Sequence, residues 1–171
     1  PDARVAPRRA ARLAAVGAAV LVAGALLAPA PPYDVRADAR LRDEMNWLVR
    51  EEPRILAAFR DVAERRRGGE LDQAEMAREL RERALVSWQR AAARLDAVPV
   101  DPAAPSAQAF GVLVDYVRLR RDAAAALVDG LERNDPRQLE RFQALQTQVD
   151  ATRERFRQLT GAAADAKAER P

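Results

Sequence analysis

Leu71-Asp72-Gln73-Ala74-Glu75-Met76 is the stretch on which the fold turns. An aspartate side chain accepts the backbone N–H three residues on, and a glutamate at that third position returns the favour to the aspartate's own N–H. Leu71 and Met76 flank the pair at the spacing of a hydrophobic staple, so a helix is predicted to start at this point. Downstream, Met76, Leu80, Ala84, Trp88, Ala91 and Leu95 share one helical face before Pro99 and Asp101-Pro102-Ala103-Ala104-Pro105 stop it.

Upstream, Gly68-Gly69 closes a first helical segment from about Arg36 to Arg66, with Leu41, Met45, Leu48, Ile55, Leu56, Phe59 and Val62 on one stripe. Pro53 lies inside it. A proline there loses a backbone hydrogen bond and crowds the preceding turn, so a kink or break is predicted near Glu51. Trp47 stands beside the stripe, either as an exposed aromatic for a partner or membrane surface or as a contact with a neighbouring helix.

Beyond the proline loop, Ser106 is placed to cap a third helix whose stripe is broad: Phe110, Leu113, Val114, Val117, Ala124, Leu127, Val128 and Leu131. It is predicted to be the most buried. Asn134-Asp135-Pro136 combines a residue that tolerates the left-handed cap, a new N-cap and a proline suited to the first helical position. A fourth helix then runs to about Thr160 with Leu139, Phe142, Leu145, Val149, Phe156 and Leu159 inward, Gly161 as its C-cap, and 161–171 as a flexible tail. With no credible strand, the prediction is all-α: an up-down four-helix bundle over 36–160 following an N-terminal hydrophobic helix, with a hairpin pair or coiled-coil dimer as the alternative.

The N-terminus points to location. Arg4, Arg8, Arg9 and Arg12 precede an uncharged apolar run from Leu13 to Ala30, 18 residues that span roughly 27 Å as a helix. This is a membrane anchor or a signal segment over 1–30, joined by a Pro-rich connector over 31–35. Ala28-Pro29-Ala30 resembles a cleavage site, but Pro31 directly after it opposes cutting. An anchored domain at the inner membrane, facing the periplasm or exterior, is therefore weighed above a domain secreted after cleavage.

The formal charge of +3 sits wholly in that N-terminal flank, and the rest of the chain is neutral. A balanced domain lacks the concentrated positive field that nucleic acid binding needs, so no nucleic acid partner is expected. The absence of His and Cys excludes Ser-His-Asp and Cys-His catalysis as well as imidazole or thiolate zinc sites. Lys167 is the only lysine, and no glycine-rich phosphate loop is present. No catalytic, cofactor-binding or metal residue is nominated, and no cofactor is expected.

One group of residues breaks the pattern. Glu52, Arg120, Gln146 and Arg153 fall within the apolar stripes of helices one, three and four. They read either as a polar core layer that fixes helix register or as an anion clamp built on two arginines.

The layout of an N-terminal anchor followed by a small helical domain resembles extracytoplasmic sensor and adaptor domains, without a second membrane helix or an output module. The function expected is a non-enzymatic interaction or adaptor module, tethered to or secreted across a bacterial-type membrane. Its partners would be the membrane through residues 13–30, and an envelope protein or a second copy. The alternative is a bundle that senses a small anion or carboxylate through its internal arginines; an enzyme would need Glu52 or Asp115 in a cleft.

Overall fold

A computed structural model describes residues 34–168, with side chains over 34–161; the expected anchor and the connector up to residue 33 lie outside the described residues. Every element among the described residues is helical. Helix α1 is Val35–Arg67, capped by the Asp34 carboxylate, which accepts from Arg36 N at 2.8 Å. Its buried residues Leu41, Leu48, Ile55 and Val62 recur every seven positions, and Met45, Glu52 and Phe59 fill the alternate seam positions. That is a coiled-coil spacing with a carboxylate in the middle of it.

Of the kink or break expected near Glu51, the break does not occur: α1 runs continuously through Pro53. Its missing N–H deprives the carbonyl of Val49, and Val49 is an exposed residue, so that carbonyl is not sealed in the core. Gly68 then ends the helix, and Gly69 takes a φ of +78° in the turn that follows.

Helix α2 covers residues 73–96 in three consecutive parts: α-helical Gln73–Glu79, π-helical Leu80–Leu85 and α-helical Val86–Asp96. The expected capping box is complete, with Glu75 N bonded to Asp72 Oδ1 and Asp72 N to Glu75 Oε2, each at 2.8 Å. The π segment was not anticipated. Met76, Leu80, Ala84 and Trp88 are spaced by four, and each step overshoots a 3.6-residue turn by about 40°. The wider π turns absorb that drift and keep Leu80, Ala84 and Trp88 buried together.

Helix α3, Ala107–Arg133, is the most buried, as its stripe predicts. Ser106 occupies the cap position without making a side-chain cap; instead its N–H donates to Asp38 Oδ1 at 2.9 Å. Asp38, a buried acid in the first turn of α1, also pairs with Arg42 at 3.2 Å. Asn134 takes the left-handed cap at φ 49°, and helix α4, Pro136–Ala168, begins directly. It does not stop at Gly161. That glycine is exposed and keeps a negative φ, and the alanines at 162–164 are strong helix formers, so the expected tail is helical through Ala168.

Direction follows from contacts far apart in sequence. Glu44–Arg94 at 2.6 Å, Asp61–Arg83 at 2.5 Å and Arg65–Glu79 at 2.6 Å set α1 antiparallel to α2. Arg81–Glu132 at 2.6 Å and Asp96–Arg118 at 2.8 Å do the same for α2 and α3. Helices α3 and α4 form a tight hairpin through small residues: a Cβ on Gly130 would stand 2.7 Å from Leu139 Cδ2. By contrast, among the described residues no α-carbon of α1 comes within 8 Å of one of α4. The two helices stand apart at backbone level, and α3 floors the gap between them.

Candidate functional site

The gap between α1 and α4 brings the irregular residues of the sequence together. The seven-residue seam of α1 carries Glu52 to its wall; on α3, Tyr116 and Arg120 lie one turn apart; the seam of α4 runs through Phe142, Gln146, Val149, Arg153 and Phe156. Three of the four nominated residues meet. Tyr116 Oη donates to Glu52 Oε1, Arg120 Nε donates to Tyr116 Oη at 2.9 Å, and Arg120 Nη1 donates to Gln146 Oε1 at 3.3 Å. Arg120 Nη2 stands 3.9 Å from Glu52 Oε1, with side-chain exposures of 14% and 23%.

Two aromatic rings enclose this layer. Trp88 meets Tyr116 edge-on, with centroids 6.4 Å apart and planes at 82°, and the Arg120 guanidinium lies 5.2 Å from the Tyr116 ring centre and 6.0 Å from that of Trp88. The contact thus draws all four helices to one level of the core, with one negative and one positive charge that offset each other. Every deeply buried side-chain polar atom among the described residues has a partner.

The fourth nominated residue does not join. Arg153 is exposed, has no ion pair or hydrogen bond among the described residues, and lines the gap on its outer side. Arg120 is held by Tyr116 and Gln146 within the layer, and Arg153 stands apart from it on the lining of the gap. Beside Arg153 lies a cavity of about 190 Å³ walled by Leu48, Val49, Leu113 and Phe156, with Glu52, Tyr116, Arg153 and Arg157 as its polar groups. Arg157 is paired to Glu154 at 3.2 Å.

The apolar stripe of α3 does not include Tyr116, and Trp88 lies on the apolar face of α2 with no polar role assigned to it. The signal that placed them at the site was present, since Tyr116 lies four residues before Arg120 on α3. Asp115, the other acid considered for catalysis, is exposed, 4.0 Å from Arg118, and borders a separate groove. Trp47 is half-buried beneath Arg94, whose guanidinium lies 4.0 Å from the ring centre and is itself bound to Glu44. It is a contact between α1 and α2.

Burial, and next the Glu52 carboxylate, push the Tyr116 phenol from 10.0 up to about 12. The folded state therefore holds this proton between pH 10 and about 12 while the unfolded chain releases it. Stability from this group is complete below pH 10 and is lost as pH rises through about 12. The expected loss is about 2–3 kcal/mol. Urea unfolding between pH 9 and about pH 11.5 should show a decline that Tyr116→Phe flattens; equal slopes in the two proteins would refute the assignment.

No family model, no curated protein and no solved structure matches the chain. No group of three His, Cys, Asp or Glu among the described residues is arranged to hold a metal ion.

Proposed function

We propose that the chain is a non-enzymatic helical binding module, an up-down four-helix bundle that takes a small carboxylate-bearing ligand between α1 and α4. Residues 1–30 would tether it to a bacterial-type inner membrane or export it, leaving the bundle outside the cytoplasm. No helix among the described residues is long and apolar enough to cross a membrane, so the tether would have to come from the segment before them.

The observation that carries the reading is the unclosed gap itself. Leu48 and Leu113 are buried and Phe156 is half-buried, yet the α-carbons of α1 and α4 stay more than 8 Å apart and leave a largely apolar cavity with the unengaged Arg153 on its lining. At about 190 Å³ it is near the size of an apolar cavity that admits benzene, too small for a drug-sized molecule and adequate for a short aliphatic acid.

A second reading, adaptor binding to an envelope protein or a second copy, is favoured by a different place. The open groove of Val98, Val100, Phe110 and Val114 exposes Val100 by 46%, and a Cβ on Gly111 at its edge would meet nothing within 4 Å. A helix-interior glycine costs about 1 kcal/mol against alanine, and no described residue requires this one.

Thermal unfolding of the full chain with millimolar isocaproate or its amide separates the two. Ligand at ten times its Kd adds about 1.4 kcal/mol, so the acid should raise the midpoint by several degrees, the amide should not, and Arg153→Met should abolish the effect. Absence of any shift with the acid, and with an α-amino acid of the same carbon skeleton, would overturn the ligand reading and move attention to the Val98–Val114 groove.

A further inference from the structure

We infer that the ligand of this cleft is a zwitterion with an apolar body, an α-amino acid such as leucine. The inference rests on the ligand-binding reading of the α1–α4 cleft and narrows it. Glu52 on α1 and Arg153 on α4 line the same cavity from facing walls, and they do not reach the 4.0 Å of an ion pair. An anion and a cation thus look into one small space without neutralising each other.

Glu52 spends only half of its capacity within the protein. The Tyr116 hydrogen bond and the nearest approach of Arg120 both fall on Oε1, and Oε2 accepts no hydrogen bond among the described residues. With the Glu52 side chain 23% exposed and no buried polar atom lacking a partner, Oε2 is accessible, on a residue that lines the cleft. A carboxylate accepts charge-assisted bonds on both oxygens, and an ammonium supplies three donors, so Oε2 suits a primary amine. Arg153 offers a guanidinium fork with no partner among the described residues, suited to a carboxylate.

The guests can be ranked by what they leave unpaired. A simple acid satisfies Arg153 but brings its charge toward Glu52; a simple amine does the reverse. A neutral apolar molecule strips water from both charges and pairs neither. Only a guest carrying both signs meets each wall, and an α-amino acid keeps them on one carbon while its side chain lies against Leu48, Leu113 and Phe156.

The test is equilibrium dialysis of the full chain in phosphatidylcholine nanodiscs, whose headgroups carry no primary ammonium. The probes are L-leucine, isocaproate, which lacks the amine, and isoamylamine, which lacks the carboxylate. Leucine should bind at least about tenfold more tightly than either. Arg153→Met, at an exposed position, should weaken leucine and isocaproate by about tenfold and leave isoamylamine unchanged; Glu52→Gln should weaken leucine and isoamylamine. Isocaproate binding as well as leucine would overturn the zwitterion and leave the carboxylate site standing. Isoamylamine binding as well as leucine would overturn it too, as would leucine binding that is indifferent to Arg153→Met. Failure of all three probes to bind would remove the ligand-binding reading along with it.

Discussion

Glu52→Leu is expected to destabilise the protein by about 3 kcal/mol, although it places a hydrophobic residue at a core position of α1. The substitution leaves the Arg120 guanidinium, 14% exposed, without its counter-charge, and removes the acceptor of the Tyr116 hydroxyl. Breaking one side of such a pair costs more than the pair contributes, because the remaining charge still pays its full desolvation. Arg120→Leu should cost a similar amount by stranding the Glu52 carboxylate beside Tyr116. The double variant Glu52→Leu/Arg120→Leu should recover at least about 1–2 kcal/mol of the summed losses, since neither orphaned charge remains. Urea unfolding of the four proteins measures the coupling directly. Losses that simply add, or single variants within about 0.5 kcal/mol of the parent, would mean that these groups do not interact.

Trp88→Ala should be more damaging still, at about 3–5 kcal/mol. Trp88 is only 4% exposed, packs edge-on against Tyr116 and borders a second, smaller cavity of about 60 Å³ with Leu56, Phe59, Ala124 and Phe142. Removing the indole enlarges a void that is already present and takes away one wall of the polar layer. Against a total stability of 5–15 kcal/mol expected for a domain, this would lower the unfolding midpoint by about 15 °C. Trp88→Phe, which retains an apolar ring, should lose less than half as much. An alanine variant that melts within a few degrees of the parent would show that the indole is not packed at the centre of the four helices.

The two substitutions also bear on the cleft differently. Glu52 lies on its wall, so its removal alters both stability and ligand contact. Trp88 lies behind the layer and affects the cleft only through Tyr116 and Arg120. Arg153, exposed and unengaged among the described residues, is the position where ligand contact is separable from folding.

Helix boundaries were legible because their signals are local. Asp72 and Glu75, Gly68 and Gly69, and Asn134-Asp135-Pro136 act on backbone groups within a few residues of themselves, and each forms the turn or cap its chemistry predicts. Periodicity likewise marked Glu52, Arg120 and Gln146 as polar intrusions in apolar faces, and they meet in one layer. The π segment of α2 was written in the four-residue spacing of Leu80, Ala84 and Trp88, but a constant 3.6-residue period hides it.

What sequence alone determined, then, is the all-helical class, the starts of its helices, the stops at Gly68 and Asn134, and Glu52, Arg120 and Gln146 as polar residues that would have to find partners inside. Tertiary structure decided the rest: that Pro53 is tolerated, that Asp38 receives Ser106 N–H, that Arg120 is bound while Arg153 is left at a rim, and that α1 and α4 stand apart. Caps and periods depend on atoms a few residues apart. The pairing of Glu52 with Tyr116 and Arg120, and the cleft beside them, depends on the rotation and spacing of helices more than sixty residues apart, which only the packed core fixes.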